Sequence, residues 1–141
     1  AFLVRDGGLN SGFMITQYTA ASLVSENKIY AHPASVDSIP SSANQEDHVS
    51  MGTTAARKAR MILDNSQKVL GIELFASSQA LWLLGEEKLS KATKAVYEHI
   101  RRRVPPVEKD IAMHYELVKF DEMVKSGELV AVVENIIGEL L

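Results

Sequence analysis

The stretch that most constrains this chain runs from Phe13 to Ser25 and contains no charged residue. Its apolar side chains are spread around the whole helical wheel and do not form a single stripe. A helix that is apolar on nearly all sides must be buried on most of them. Because 141 residues can hardly surround such a helix, the sequence predicts that neighbouring helices, including those of other copies, cover it. Asn10 and Ser11 precede it and are candidates for its N-cap.

The composition excludes several classes of function. Charged residues make up 23% of the chain and the net charge is −3, so it has no general attraction for nucleic acid or an anionic membrane. No apolar run is long enough to span a bilayer. There is no cysteine, which excludes disulfides and thiolate metal sites and fits a cytoplasmic protein. The histidines do not pair at four-residue spacing, and we expect no metal site.

Helical periodicity returns after a non-periodic stretch between His32 and His48. Steps of three and four residues predict one long helix from Val49 to about Leu84, which Gly71 could bend without breaking. Three shorter helices are predicted over residues 86–103, 110–125 and 128–141. Asp110 is expected to cap the second of these. No convincing series of strands is present, so the sequence predicts an all-α fold, a long antiparallel helical bundle.

The densest polar chemistry lies in residues 41–48 (SSANQEDH). In one interpretation Glu46 or Asp47 lies at the N-terminus of the following helix and accepts its free N–H groups. In the other, this long loop is a binding site where amides orient a ligand and a carboxylate carries charge or a proton. Spacing alone leaves both interpretations open.

Three segments of the chain, in the same order, resemble the aromatic amino-acid lyase family, and specifically its histidine-specific branch. The resemblance covers nearly the whole chain and is strongest over residues 3–60. The segments are residues 8–14 (GLNSGFM), 31–40 (AHPASVDSIP) and 42–52 (SANQEDHVSMG).

This resemblance implies a reaction and a prosthetic group. Family members eliminate ammonia from an α-amino acid, and histidine would give trans-urocanate. They use an electrophilic methylidene-imidazolone (MIO), formed from an internal Ala-Ser-Gly triplet. Here each Ala-Ser pair is followed by Leu23, Val36 or Ser78, never by glycine. We therefore expect a C-terminal portion that is inactive alone, needs the N-terminal remainder and assembles as a homotetramer with shared active sites.

The resemblance also implies roles for individual residues. Glu46 matches the active-site glutamate of the histidine-specific branch, whereas the phenylalanine- and tyrosine-specific branches carry an amide there. A carboxylate can accept a hydrogen bond from an imidazole N–H, which a benzene ring lacks. Gln45 is expected to orient its neighbours and Met14 to line the substrate pocket, with simple helix core as the alternative for Met14. Asp47 and His48 are expected to have structural roles.

The chain is thus predicted to comprise a buried bundle helix (1–30), an active-site loop (31–48), and a long helix with C-terminal helices (49–141). It would belong to a larger, mainly helical, oligomeric fold that acts on a small amino acid. Two other functions remain open. One is a related MIO-dependent aminomutase, and the other is a non-catalytic helical interaction module.

Overall fold

The computed structural model describes residues 2–36, 38–46 and 48–140 of the chain. Within this range the fold is all-helical and contains no strand, only two isolated bridges. The five α-helices are α1 (Met14–Tyr30), α2 (Gly52–Leu84), α3 (Lys91–Arg103), α4 (His114–Ser126) and α5 (Glu128–Ile137). The predicted all-α class is confirmed. No helix in this part of the chain is long and apolar enough to cross a membrane.

The chain divides into two compact units. The core unit comprises residues 2–20 and 67–140 of the described chain, and the loop unit comprises residues 21–66. The helices α1 and α2 each continue from one unit into the other.

The core unit is built around three aromatic rings. The Phe13 and Phe75 ring centroids lie 4.6 Å apart, edge to face, and Phe75 and Phe120 lie 5.0 Å apart. Gly71 lies where α2 approaches α4, since a Cβ atom there would be 3.3 Å from the Cβ of Phe120. This glycine therefore allows close packing inside one uninterrupted helix of 33 residues. Aliphatic and methionine side chains complete the core: Ile100, Val104, Val107, Met113 and Met123.

Local capping sets the ends of the shorter helices. The helix predicted to begin at Glu86 begins at Lys91, because the Ser90 side chain accepts the Thr93 N–H at 3.2 Å. It ends before Pro105 and Pro106, which cannot donate the next helical hydrogen bonds. Gly127, with φ 73°, ends α4 in the left-handed conformation that glycine tolerates, and α5 follows at once.

The prediction that Asp110 caps the second of the three shorter helices is wrong. That helix, α4, begins at His114. The Asp110 carboxylate instead accepts the backbone N–H groups of Ser11 at 2.9 Å and Gly12 at 2.8 Å. These two bonds lower the pKa of Asp110. The carboxylate therefore accepts free backbone N–H groups, as a helix cap does, but these belong to a segment nearly 100 residues earlier in the chain.

A buried amide also holds the N-terminal segment. Gln79 is fully buried, and its Nε2 donates to the carbonyls of Leu3 (3.1 Å) and Val107 (2.7 Å). Its Oε1 accepts the Val107 N–H at 3.0 Å. Because buried polar groups need partners, Gln79 fixes α2, the N-terminal segment and the segment after α3 in one arrangement.

Candidate active-site loop

The loop between α1 and α2 is fastened at its start and across its middle. The Lys58 ammonium donates to the carbonyl of His32, just after the end of α1. Further along, the Val49 N–H donates to the Ser38 hydroxyl at 2.9 Å, which joins the outgoing and returning arms. Among the described residues, the non-periodic stretch is therefore a loop whose start is bound to α2 and whose two arms are joined by a hydrogen bond.

The tip of this loop has an unusual backbone. Ser42, Ala43 and Asn44 have φ values of 52°, 56° and 67°, although none is glycine. Left-handed conformations of such residues cost free energy, so they persist only where the surrounding structure enforces them. Here Ser41 and Glu46 exchange two backbone hydrogen bonds, of 3.1 and 3.3 Å, across the turn. Such strain often marks a functional site.

Glu46 follows this strained turn, and its side chain is exposed. Among the described residues its carboxylate accepts no hydrogen bond and forms no ion pair. Since α2 begins only at Gly52, with no acidic residue in its first turn, the interpretation of Glu46 as its N-cap is wrong. The backbone of Glu46 is held by its hydrogen bonds to Ser41, while its carboxylate has no partner among the described residues.

The neighbours of Glu46 are also exposed. The Gln45 backbone N–H donates to the carbonyl of Ser42 at 3.1 Å, and the residue is exposed. His48 is exposed, and Asp47 lies outside the described residues. Gln45 and Glu46 are consecutive residues at the end of the turn, and both are exposed. The roles predicted for them, and for Asp47 and His48, stay predictions.

Met14 is the first residue of α1 and belongs to the core unit. It is 39% exposed and is not part of the buried apolar cluster, so within this chain it is not a core residue. The segment before it is held by Asp110, and Asn10 accepts the Asp110 N–H at 3.2 Å. The side chain of Asn10 therefore does not cap α1. The role of Met14 in lining a pocket stays a prediction.

A profile of the family described as aromatic amino acid lyase matches residues 1–102. This chain belongs to that family. A relative named histidine ammonia-lyase, from Symbiobacterium thermophilum, is 61% identical over 140 residues, which are 99% of this chain and 28% of that protein. This chain thus spans between a quarter and a third of the length of the curated relatives it matches.

Solved structures agree with this assignment. The crystal structure of histidine ammonia-lyase from Trypanosoma cruzi matches 96% of this chain and 27% of its own, with 44% identity and a TM-score of 0.91. A tyrosine aminomutase from Streptomyces globisporus matches 94% of this chain and 26% of its own, with 40% identity and a TM-score of 0.89. The fold of this lyase chain is therefore shared by enzymes with different substrates and products.

The residues of this chain do not fit the role of precursor to the family's prosthetic group. Ala21–Ser22 and Ala76–Ser77 lie inside helices α1 and α2, and Ala34–Ser35 lies in a turn. None of the three pairs is followed by glycine. Within the described residues there is also no group of three or more His, Asp or Glu side chains that could hold a metal ion.

Sequence reasoning assigned no role to Lys58, Glu26 or Asn65. Lys58 of α2 binds the carbonyl of His32, just after α1, and Asn65 of α2 binds Glu26 of α1. Their only sequence signal is polarity within helical segments, which is also the ordinary property of a solvated helix face.

Proposed function

We propose that this chain is the C-terminal part of a histidine ammonia-lyase, which eliminates ammonia from L-histidine to give trans-urocanate. Support comes from the name and the 61% identity of the Symbiobacterium relative. The structural observation that carries the proposal is the Glu46 carboxylate, exposed and uncommitted within the described residues beside a strained, locked turn. A group fixed in this way is available to a ligand or to another part of the protein.

The chemistry of this carboxylate suits an imidazole. A negative charge accepts a hydrogen bond from an imidazole N–H and favours the charged ring. The same carboxylate buried against a benzene ring would lose its hydration without gaining a partner, which is costly. Glu46 would therefore bind and polarise the substrate ring, Gln45 would orient its neighbours, and Met14 would line the pocket.

The remaining requirements would be met outside this chain. The N-terminal remainder of the full-length protein would supply the MIO group, because no triplet here can form it. Isolated, the chain would be inactive. A homotetramer would cover the apolar side chains that α1 exposes, among them Ile15 and Ile29, and the enzyme would be cytoplasmic.

The test is Glu46→Gln in the full-length protein, with urocanate absorbance as the readout on L-histidine. Loss of one charge-assisted hydrogen bond is expected to cost about 2–3 kcal/mol, or about 100-fold in rate. Glu108→Gln, the same change at an exposed position, is the matched control and should keep wild-type turnover. Near-wild-type turnover by the Glu46 variant would contradict the proposed role.

An aminomutase is the second candidate, because the solved tyrosine aminomutase shares the fold at 40% identity. This chain is 61% identical to a histidine ammonia-lyase, which makes elimination the better-supported reaction. Product analysis of the full-length enzyme separates the two, since elimination releases ammonia and urocanate whereas an aminomutase returns the amine to the β-carbon. A full-length protein that forms neither product would favour the non-catalytic helical module.

A further inference from the structure

A polar network joins the last turn of α1 to α2 inside the loop unit. Asn65 donates from Nδ2 to Glu26 Oε2 at 2.8 Å and to Asn27 Oδ1 at 3.0 Å. Glu26 Oε1 accepts the Tyr30 hydroxyl at 3.0 Å, a bond that raises the pKa of Tyr30. Asn27 Nδ2 in turn donates to the hydroxyl of Ser66 at 3.5 Å.

Asn65 is the centre of this network and the only buried side chain among the described residues of the loop unit. Both of its donor hydrogens are used, one of them on a charged carboxylate. A buried amide is costly without partners, so a slide or rotation of one helix against the other is disfavoured. Single buried amides fix the register of paired helices for this reason.

The two helices that this network joins also carry the two ends of the loop that contains Glu46. That loop leaves α1 after Tyr30 and enters α2 at Gly52, so the alignment of the two helices sets the separation of its ends. Lys58 ties the first loop residues to α2, and the Ser38–Val49 and Ser41–Glu46 hydrogen bonds carry the constraint to the tip.

We propose that Asn65 and Glu26 are positioning residues for Glu46: their hydrogen bond sets the register of α1 and α2 and so the place of the Glu46 carboxylate. This inference rests on the proposed function for its catalytic consequence, and on the geometry alone for its effect on the loop.

The test is a pair of exchanges in the full-length protein. Asn65→Asp places two carboxylates together, and adding Glu26→Gln restores one amide donor and one carboxylate with their places exchanged. We expect Asn65→Asp to lower kcat/KM for L-histidine about 10-fold, because small misplacements of catalytic groups are expensive. The double variant should recover most of that loss. Asn135→Asp, the same change at an exposed position of α5, is the matched control and should behave as wild type.

Two readouts separate positioning from stability and from the proposed function. In a Glu46→Gln background, Asn65→Asp should lower kcat/KM less than about 2-fold. The effects of two substitutions do not add when one residue acts through the other. An equal loss in both backgrounds would overturn the inference. Hydrogen–deuterium exchange of residues 38–49 should accelerate in Asn65→Asp and recover in the double variant. Unchanged exchange would overturn the positioning itself.

The proposed function is judged separately, from Glu46→Gln alone. If that variant turned over histidine normally, the catalytic consequence would fall, while the exchange data would still decide whether Asn65 positions the loop. Should Asn65→Asp fail to assemble, Asn65→Ser removes the amide donors without adding charge, because the shorter hydroxyl replaces the amide group. The same two backgrounds and the same exchange measurement then apply to it.

Discussion

The interactions inside the core unit differ in kind from those inside the loop unit. The core unit buries large apolar side chains completely, Phe75, Phe120 and Met123 among them. Among the described residues of the loop unit, the single buried side chain is the amide of Asn65, while Ile29 and Ile39 are 71% and 72% exposed. Apolar burial stabilises a unit by itself, whereas hydrogen bonds near solvent contribute little net free energy and mainly select one geometry. The core unit is therefore stabilised by its own buried apolar side chains, whereas the described residues of the loop unit leave large apolar side chains exposed.

Of the changes that test this difference between the units, Phe75→Ala should lower the free energy of unfolding most. The ring contacts Phe13 and Phe120 and is fully buried, so its removal leaves a cavity and should cost about 3–5 kcal/mol of unfolding free energy. Urea denaturation of the 141-residue chain measures this cost. Leu63→Ala, half exposed on the same helix but in the loop unit, should cost well under about 1 kcal/mol. Equal costs for the two variants would remove the distinction between the units.

Gln79→Leu should follow in size. This change leaves the N–H and carbonyl of Val107 and the carbonyl of Leu3 without their partner inside the core unit. Unsatisfied buried groups should cost about 2–3 kcal/mol in the same urea experiment. Gln17→Leu, on an exposed position of α1, serves as the control and should lie within about 0.5 kcal/mol of wild type. If Gln79→Leu left the free energy of unfolding unchanged, the apolar core alone would hold the N-terminal segment.

A smaller effect is expected from Asn65→Leu in the isolated chain. Its partner Glu26 is exposed and its partner Asn27 is half-buried, so water can hydrate both and the loss should be about 1 kcal/mol. Hydrogen exchange should locate the effect in residues 21–66 and leave the protection of residues 91–126 unchanged, because cooperative local opening commonly follows compact units of structure. Faster exchange throughout the chain would show instead that the two units unfold together.

The smallest effect should be the acid sensitivity that Asp110 contributes to the core unit. Its pKa is lowered by the N–H groups of Ser11 and Gly12, so its carboxylate stabilises the fold above the ordinary value of about 4. That contribution is lost as the pH falls through the lower pKa of the folded state. The Tm of Asp110→Asn should therefore lie below that of wild type at neutral pH, and the difference should shrink as the solution is acidified. A difference independent of pH would contradict this assignment.

The helices themselves could be predicted from local patterns with errors confined to their ends. The long helix predicted from Val49 to Leu84 is observed from Gly52 to Leu84, because periodicity over many residues averages out local exceptions. The prediction that α3 begins at Glu86 is wrong, because the Ser90 side chain caps the helix and α3 begins only at Lys91. Errors of this kind arise where one side-chain hydrogen bond decides between two adjacent turns.

The candidate site could be predicted by residue type but not by geometry. The segments around Asn44, Gln45 and Glu46 carried the resemblance to the lyase family, and the family is confirmed. The run of three left-handed residues, Ser42 to Asn44, could not be predicted, since only Asn44 is of a type that adopts this conformation readily. The hydrogen bonds across the loop enforce it.

The sequence by itself determined the helical class, the family and the identity of the charged residue beside the loop tip, because periodicity and motifs are local properties of the chain. Only the tertiary structure decided which polar groups meet. Asp110 binds Ser11 and Gly12, and Asn65 binds Glu26, over separations that no local pattern encodes. A carboxylate or amide carries the same hydrogen-bonding capacity wherever it stands, and the folded backbone alone selects its partner.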